Sequence, residues 1–306
     1  MQIGIGISLS QLKAGIGGPA WLLTGGVWND AGVWDDTATW DDGPLTWSNP
    51  DLTTAAYDSV SFSPSSQEAS SAEIVIKSDG TKMYVIGSNT DAIYQYALST
   101  SWDVSTASYE SKSLSVSSEE LGPTGLRFKD DGTSAYVVGS NDAVYQYNLS
   151  TAWDISTGSY ASKSLSVASQ ETNVTQLFFK DDGTKVYVIG TTNDSVYQYA
   201  LSTAWDISTG SYESKSFSVS SQSGSPQSFY ISPNGDKMWV AQGFSGAAVY
   251  QYSLSTAWDI STASYDSVSF SVSSQDAGPT GIEFKTDGQK MYITGGFNNT
   301  IYQYST

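Results

Sequence analysis

The sequence contains no cysteine and no histidine, and its 13 basic residues include a single arginine, Arg127. The first two absences exclude disulfides, thiolate chemistry, the usual zinc ligands and the usual general base near neutral pH. The 31 acidic residues bring the formal net charge to −18, so most of the surface repels phosphate backbones and we expect no nucleic-acid binding. Most familiar catalytic sites therefore cannot be built from this chain.

Long hydrophobic runs are also lacking. No stretch approaches the roughly eighteen apolar residues that a membrane helix needs. The start, MQIGIGISLSQLKAGIGG, has one lysine and too short an apolar stretch for a secretory signal. We expect a soluble protein without membrane insertion or a recognisable export leader. A hydrophobic content of 39% over 306 residues is still enough for the core of one large β domain.

What the sequence does contain is an internal repeat. The tripeptide YQY begins at 94, 145, 197, 250 and 302, in steps of 51, 52, 53 and 52. The turn dipeptide DG, or NG in one copy, keeps the same period at 79, 131, 182, 234 and 287. Periods of this length indicate solenoids, propellers or arrays.

Each repeat predicts four short strands, as in residues 124–129, 134–139, 143–149 and 161–167. β-Branched and aromatic residues fill these runs, and DDG or ND at their ends suits tight hairpins. A four-stranded antiparallel meander of this size is typical of a propeller blade.

The two ends of the chain predict a closed ring. YDSVSFSPSS at 57–66 matches YDSVSFSVSS at 265–274 in nine of ten letters, and the last repeat stops after its third strand. We therefore expect residues 47–306 to form an all-β, closed five-bladed β-propeller whose last blade is completed by the strand at 58–64. Pro64, which stands where Val272 stands in the other copy, suits the unpaired edge of an outermost strand. An open solenoid is the alternative.

Residues repeated in every blade favour structural roles. Trp102, Trp153, Trp205 and Trp258 each precede an aspartate, and we expect the indoles to wedge between blades while the aspartates cap the following turn. The alternative is a ring of sugar-stacking platforms. The glutamine of each YQY is expected to be buried and to bridge strands or blades.

Positions that break the repeat are better candidates for binding, because function on a symmetric scaffold usually lies where the symmetry fails. One inner-strand position holds Val75, Arg127, Phe178, Tyr230 and Glu283. We predict that Arg127 and Glu283 pair across the channel, either as an ion pair or as a ligand contact. Phe244 and Phe297, in divergent loops, form a second candidate contact patch.

Acidic residues recur in the loops that lead into the inner strands, at Glu68, Glu119, Glu120, Glu171 and Asp276. A ring of carboxylates suits Ca²⁺, which prefers oxygen ligands. No segment has the spacing of a known calcium loop, so we expect a solvated acidic rim, and no metal or cofactor.

The first 46 residues differ from the repeat. Tryptophans recur there at spacings of 7, 6, 6 and 7, at Trp21, Trp28, Trp34, Trp40 and Trp47. A segment this short cannot form its own core, so its indoles must be buried against the propeller or against another molecule. We interpret residues 1–46 as an extended attachment segment, with Trp21, Trp28, Trp34 and Trp40 contacting a partner. A strap around the ring is the alternative.

The IGIGISL start followed by WND, WDD and WDD resembles the N-terminal attachment segments of tailed-bacteriophage virion proteins. The repeat FKDDGTxxYVxG with VYQYxLSTAWDIST is similar to YVTN and WD-type propeller repeats of phage and bacterial surface proteins. The Gly-His pair of WD repeats is absent, so their partner-binding surfaces do not carry over.

These resemblances imply a virion structural protein rather than an enzyme. It would be anchored to other virion proteins through residues 1–46, present in many copies, and would display the propeller as a tail-fibre, tail-associated or head-decorating module. Host-surface glycan is the candidate ligand. One alternative is a lectin with five equal sites. Another is a carboxylate-based glycosidase, for which Glu73 and Glu283 are the inner-strand acids that break the symmetry.

Overall fold

In the computed structural model, the described residues are 47–244 and 246–306, together with the backbone of two short strands. Those strands, β1 (Val27–Trp28) and β2 (Trp34–Asp35), pair with each other in antiparallel register. Residues Trp47–Thr306 form one compact unit. No helix in the described part of the chain has the length and apolar character of a membrane span.

The compact unit consists of five antiparallel sheets of four strands each, which confirms the predicted blades. The inner strands are β4 (Ser71–Ile76), β8 (Pro123–Phe128), β12 (Val174–Phe179), β16 (Pro226–Ile231) and β20 (Pro279–Phe284). The second strands are β5 (Lys82–Gly87), β9 (Ser134–Gly139), β13 (Lys185–Gly190), β17 (Lys237–Gln242) and β21 (Lys290–Gly295). The third strands are β6 (Ala92–Leu98), β10 (Ala143–Leu149), β14 (Ser195–Leu201), β18 (Ala248–Leu254) and β22 (Thr300–Ser305). The outermost strands are β7 (Ala107–Ser115), β11 (Gly158–Ser166), β15 (Gly210–Ser218), β19 (Ala263–Ser271) and, for the fifth blade, β3 (Ala56–Phe62).

The fifth blade closes the ring as predicted. Strand β3 pairs with β22, with Phe62 opposite Ile301, and Lys290 forms a 2.6 Å ion pair with Asp58 of β3. The interpretation of Pro64 was wrong, because it lies beyond the end of β3 and is buried. Its counterpart Val272 donates a backbone hydrogen bond that a proline cannot make.

The cores lie between neighbouring blades, where apolar residues of adjacent sheets pack together. The inner strands contact their neighbours around the channel, and the Thr280 hydroxyl of the fifth blade donates to the Ser71 carbonyl of the first, at 3.3 Å. This contact between the first and last inner strands excludes the open solenoid.

Candidate functional site

Two successive layers of side chains fill the channel, one residue from each inner strand. The first layer consists of Glu73, Gly125, Gln176, Ser228 and Gly281. Two residues further along each strand, the second layer consists of Val75, Arg127, Phe178, Tyr230 and Glu283. Because alternate residues of each inner strand point to the channel, these two layers contain the polar and charged side chains that line the channel axis.

Glu73 crosses the first layer and is fully buried. Its carboxylate accepts hydrogen bonds from the Gln176 amide and, at 2.7 Å, from the Ser228 hydroxyl. Glycine is required at 125 and 281, because a Cβ there would collide with the Gln176 and Glu73 side chains. Burial raises the pKa of Glu73 to about 8, against the opposing charge of Arg127. The raised pKa favours the protonated form of Glu73 near neutral pH.

Arg127 and Glu283 meet in the second layer, as the sequence predicted, with 2.6 Å between Nη1 and Oε2. Both side chains are buried, and the guanidinium carbon lies 5.2 Å from the ring centre of Phe178. Burial raises the pKa of Glu283, although the Arg127 charge opposes the shift. Nη2 and Nε of Arg127 are buried and have no hydrogen-bond partner among the described residues. These two donors form one edge of the guanidinium fork, which matches two adjacent acceptor oxygens.

A cavity of about 190 Å³ opens over the second layer, at the end of the channel where the DG turns lie. Arg127 and Glu283 line it together with Tyr230. Its walls are largely aromatic: Phe128, Phe178, Phe179, Phe284, Trp102, Trp153 and Trp205. The exposed rim carries Ser78, Asp130, Asp181 and Thr286. An apolar cavity with a few converging polar groups is the usual form of a small-molecule site.

Two rim aspartates have perturbed acidities. Partial burial, followed by the negative charge of Asp130, raises the pKa of Asp181 to about 6. Partial burial and the charge of Asp131 also raise the pKa of Asp130. In a chain without histidine, Asp181 is a group at the cavity rim whose pKa lies near neutral pH.

The repeat tryptophans pack between blades and the aspartates that follow them cap turns, as the sequence predicted. Trp153 packs between blades, and its carbonyl accepts a 2.6 Å hydrogen bond from the hydroxyl of Tyr84 in the preceding blade. Its backbone is left-handed, with φ of 62°, and Gly132 leaves room for the indole. Asp154 caps the following 3-10 turn, Ile155–Thr157, as predicted. Trp102, Trp153 and Trp205 nevertheless also line the cavity, whereas Trp258 does not, so five equal sugar platforms do not exist.

The YQY glutamines bridge blades, as the sequence predicted. Gln95 accepts a 2.9 Å hydrogen bond from the buried Ile155 amide of the next blade and donates one of 2.7 Å to Glu110 in its own blade. Gln146, Gln198 and Gln303 accept from equivalent amides. Gln251 differs, because it accepts from the Trp239 indole of its own blade.

Trp47 continues the spacing of the preceding tryptophans but belongs to the unit Trp47–Thr306. It stacks on Tyr230 at 5.8 Å and packs edge-on against Trp239 and Phe284, at the junction of the fourth and fifth blades. Leu52 is buried in the same junction. The fifth junction therefore also contains a tryptophan, although Ser48 and Pro50, rather than the indole, lie next to the turn glycine Gly288.

The loop acids do not form a solvated rim or a calcium ring. Glu68, Glu120, Glu171 and Asp276 are buried, and each accepts backbone N–H groups of the loop between the second and third strands of its own blade. Glu119 instead accepts a 3.0 Å hydrogen bond from the Tyr147 hydroxyl. Within residues 47–244 and 246–306, no group of three or more acidic side chains is arranged to hold a metal. These carboxylates are turn caps.

Phe244 and Phe297 lie at the opposite end of the channel from the Arg127–Glu283 pair. Their rings meet edge to face at 5.7 Å, and both side chains are largely exposed. They flank a second cavity of about 250 Å³. The four candidate binding residues therefore lie at two separate places, one pair at each cavity.

Trp21 and Trp40 lie outside the described residues, and for Trp28 and Trp34 only the backbone, in β1 and β2, is described. The attachment role of residues 1–46 stays a prediction.

Residues 49–257 match the family described as lactonase, 7-bladed β-propeller. The chain belongs to this family. The match covers more than half of the chain, and the described residues form five blades rather than the seven in the family's description. No curated protein matches the chain significantly in sequence.

Solved structures similar to this chain share little sequence identity with it, and one of them has a TM-score above 0.5. A protein of Bacteroides fragilis, assigned provisionally as a 6-phosphogluconolactonase, is 11% identical with a TM-score of 0.51 over 76% of this chain and 79% of its own. A Bacteroides uniformis protein with the same provisional assignment is 10% identical, with a TM-score of 0.49 over 76% and 80%. A protein of unknown function from Desulfotomaculum acetoxidans is 11% identical, with a TM-score of 0.45 over 74% of this chain and 62% of its own.

Membership of a lactonase family corrects one expectation from the sequence. The chain was expected not to be an enzyme, because it lacks cysteine and histidine and resembles virion proteins. The family match overturns that expectation. Carboxylates and an arginine in an apolar cavity are sufficient groups for hydrolysis, so the composition does not exclude catalysis.

Proposed function

We propose that the protein hydrolyses a small cyclic ester, a lactone, in the cavity lined by Arg127, Asp181 and the aromatic residues. The observation that carries this proposal is the free edge of the Arg127 fork, Nε and Nη2, buried at a cavity whose rim holds an acid of pKa about 6. Two unpaired buried donors represent an unfavourable arrangement that a ligand oxygen would relieve. The lactonase family supports the choice of substrate.

The chemistry needs one base and one oxyanion site. The ionised Asp181 carboxylate accepts a proton from water while the water oxygen bonds to the lactone carbonyl carbon. The carbonyl oxygen becomes an oxyanion, and Nε and Nη2 of Arg127 donate hydrogen bonds to it. The ring C–O bond then breaks, and the proton on Asp181 passes to the departing alkoxide. The products are a hydroxy acid and the regenerated carboxylate.

Glu283 acts in this scheme by holding the guanidinium. Its 2.6 Å bond to Nη1 fixes the plane of the fork, and Phe178 supports the guanidinium face. A guanidinium fixed by both contacts loses little entropy when it binds the transition state.

The alternative hydrolytic reaction is glycoside hydrolysis, with Glu73 and Glu283 as the pair of catalytic carboxylates. Glu73 does not line the cavity, being fully buried and bonded to Gln176 and Ser228. Glu283 is committed to Arg127. The accessible carboxylates therefore favour the lactone reaction over the glycosidase pair.

The virion role has no support from the family match or the solved structures. It rests on residues 1–46 alone, where Trp21 and Trp40 lie outside the described residues. A lectin with five equal sites also lacks support, because three of the repeat tryptophans line the cavity and Trp258 does not. We therefore carry neither role forward as the main function.

The test compares hydrolysis of glucono-δ-lactone and γ-butyrolactone with hydrolysis of 4-nitrophenyl glycosides. We expect a lactone to be hydrolysed faster than in buffer. Arg127→Lys, which keeps a charge for Glu283 but loses the fork, should lower kcat by about 10²- to 10³-fold. Glu73→Gln is the control and should retain activity. No lactone hydrolysis above buffer, or glycoside hydrolysis that Glu73→Gln abolishes, would overturn the proposal.

A further inference from the structure

The second cavity lies at the N-terminal ends of the inner strands, opposite the proposed hydrolytic site. It measures about 250 Å³, slightly below the roughly 300 Å³ at which drug-sized sites begin. Its wall contains hydroxyl side chains from four blades: Ser70, Ser71, Ser88, Thr124, Thr175 and Thr280. Phe244, Phe297 and Gln227 complete the polar and aromatic lining. No charged side chain lines it, in a protein with 44 charged residues in total.

One of these hydroxyls is left without a partner. Ser71 is 3% exposed, and its Oγ is buried without a hydrogen-bond partner among the described residues. The neighbouring hydroxyls have partners within the protein: Thr124 and Thr175 donate hydrogen bonds of 3.0 Å to the Val174 and Pro226 carbonyls. A buried hydroxyl that lines a cavity and lacks a partner indicates an absent ligand group.

The two phenylalanines provide an exposed apolar surface at the edge of this cavity. Phe244 is 55% exposed and Phe297 61% exposed, and they contact each other edge to face. Phe244 also has a left-handed backbone, with φ of 58°, which is unfavourable for a bulky residue. In the other blades the left-handed residue of this loop, Asp91, Asp142, Asp194 or Asn299, stands directly before the third strand, whereas Phe244 lies four residues before Ala248. The fourth blade therefore accepts local strain where it presents an aromatic ring.

We propose that this cavity, the Phe244 site, binds an uncharged sugar residue. Sugars are the ligands that present both an apolar ring face and several hydroxyls, which match the phenylalanine pair and the hydroxyl wall. The lack of charged lining residues excludes a specific anion or cation site, and the net charge of −18 disfavours acidic sugars further. The cavity volume suits one sugar ring with its chain leading into solvent. The proposal is independent of the hydrolytic site, whose residues lie at the other end of the inner strands.

The experiment uses the full chain and four probes, the methyl glycosides of glucose, galactose, mannose and N-acetylglucosamine. Saturation-transfer NMR identifies the glycoside that binds, and calorimetry measures its Kd. We expect one probe to bind and Phe244→Ala/Phe297→Ala to weaken it by about tenfold or more. Leu121→Ala is the matched control, because Leu121 is also 61% exposed but does not line the cavity, and it should leave the Kd unchanged.

Ser71→Ala separates a ligand role from a structural role. It removes a hydroxyl that has no partner among the described residues, so it should weaken glycoside binding by about five- to tenfold without lowering the Tm. The proposal is overturned if none of the four glycosides binds. It is equally overturned if the double phenylalanine variant, with an unchanged Tm, binds as the parent does, or if sialic acid binds more tightly than every neutral probe. Lactone hydrolysis is measured on the same samples, so failure of one site is distinguished from failure of the other.

Discussion

Arg127 of the second blade donates a 2.6 Å hydrogen bond to Glu283 of the fifth, across the channel of a ring built from five similar blades. The corresponding residues of the other blades are Val75, Phe178 and Tyr230, so the pair exists only because the repeat has diverged. The pair lies in the layer of buried channel residues that borders the aromatic cavity. The repeat builds the ring of blades, and the divergence of the five residues in this layer places the two charged side chains there.

Replacing Arg127 should destabilise the fold, because the buried Glu283 carboxylate then lacks its partner. We expect Arg127→Met to lower the free energy of unfolding at pH 7 by about 3–5 kcal/mol, because it leaves an unpaired buried carboxylate. The loss should shrink as the pH falls, because burial raises the pKa of Glu283 and the carboxyl then takes up a proton. Urea denaturation over a pH series measures it. Arg127→Met/Glu283→Leu is the control and should recover most of the stability; an equal loss in both variants would contradict the explanation.

Glu73 should make stability depend on pH in a predictable direction. Its pKa is about 8 in the folded chain and 4.5 in the unfolded one, so the folded state binds the extra proton between these values. Stability should therefore fall as pH rises from 4.5 to 8, by roughly 5 kcal/mol in all. Glu73→Gln lacks this proton. The free energy of unfolding of this variant, relative to that of the parent, should rise between pH 4.5 and 8 and stay constant below pH 4. If the two proteins instead show the same pH dependence, the pKa of Glu73 is not raised.

The bridging glutamines should differ between blade junctions. Gln95→Ala leaves the buried Ile155 amide without an acceptor, so we expect a loss of about 1–3 kcal/mol in the free energy of unfolding. Gln251→Ala is the matched control, since Gln251 bonds within its own blade to the Trp239 indole. Thermal unfolding of the two variants checks this. A smaller loss for Gln95→Ala than for Gln251→Ala would argue against bridging as the main role.

The position of Trp47 gives a prediction about truncation. Residues 47–306 should fold with the full set of blades, because Trp47, Leu52 and β3 are retained. Residues 64–306 should not fold stably, because the fifth blade loses its outer strand, the Asp58–Lys290 pair and the indole between Trp239 and Phe284. Circular dichroism and gel filtration compare the two chains. Equal stability would mean that ring closure contributes little.

The repeat was sufficient to predict the blades, the closure and the glutamine bridges, because identical junctions need identical contacts. Trp47 was missed because ten residues separate it from Tyr57, against seven between Trp258 and Tyr265, and because it continues the spacing of the preceding tryptophans. Asp181 was missed because a DDG turn explains both of its aspartates locally. Its pKa is raised first by burial and then by the charge of Asp130, which belongs to another blade. The signal in the sequence was the variation from Ser78 to Asp130, Asp181 and Thr286 at one turn position.

The pH dependence of kcat/KM for glucono-δ-lactone, between pH 4.5 and 7 and corrected for the buffer reaction, tests the proposed site most directly. Asp181 as general base predicts a rate that rises with pH and is half-maximal near pH 6. Asp181→Asn should lower the rate by about 10²-fold or more and remove the inflection. Asp182→Asn, which alters the adjacent and exposed carboxylate paired with Lys180, should do neither. An Asp181→Asn variant that keeps both the rate and the inflection near pH 6 would contradict the account.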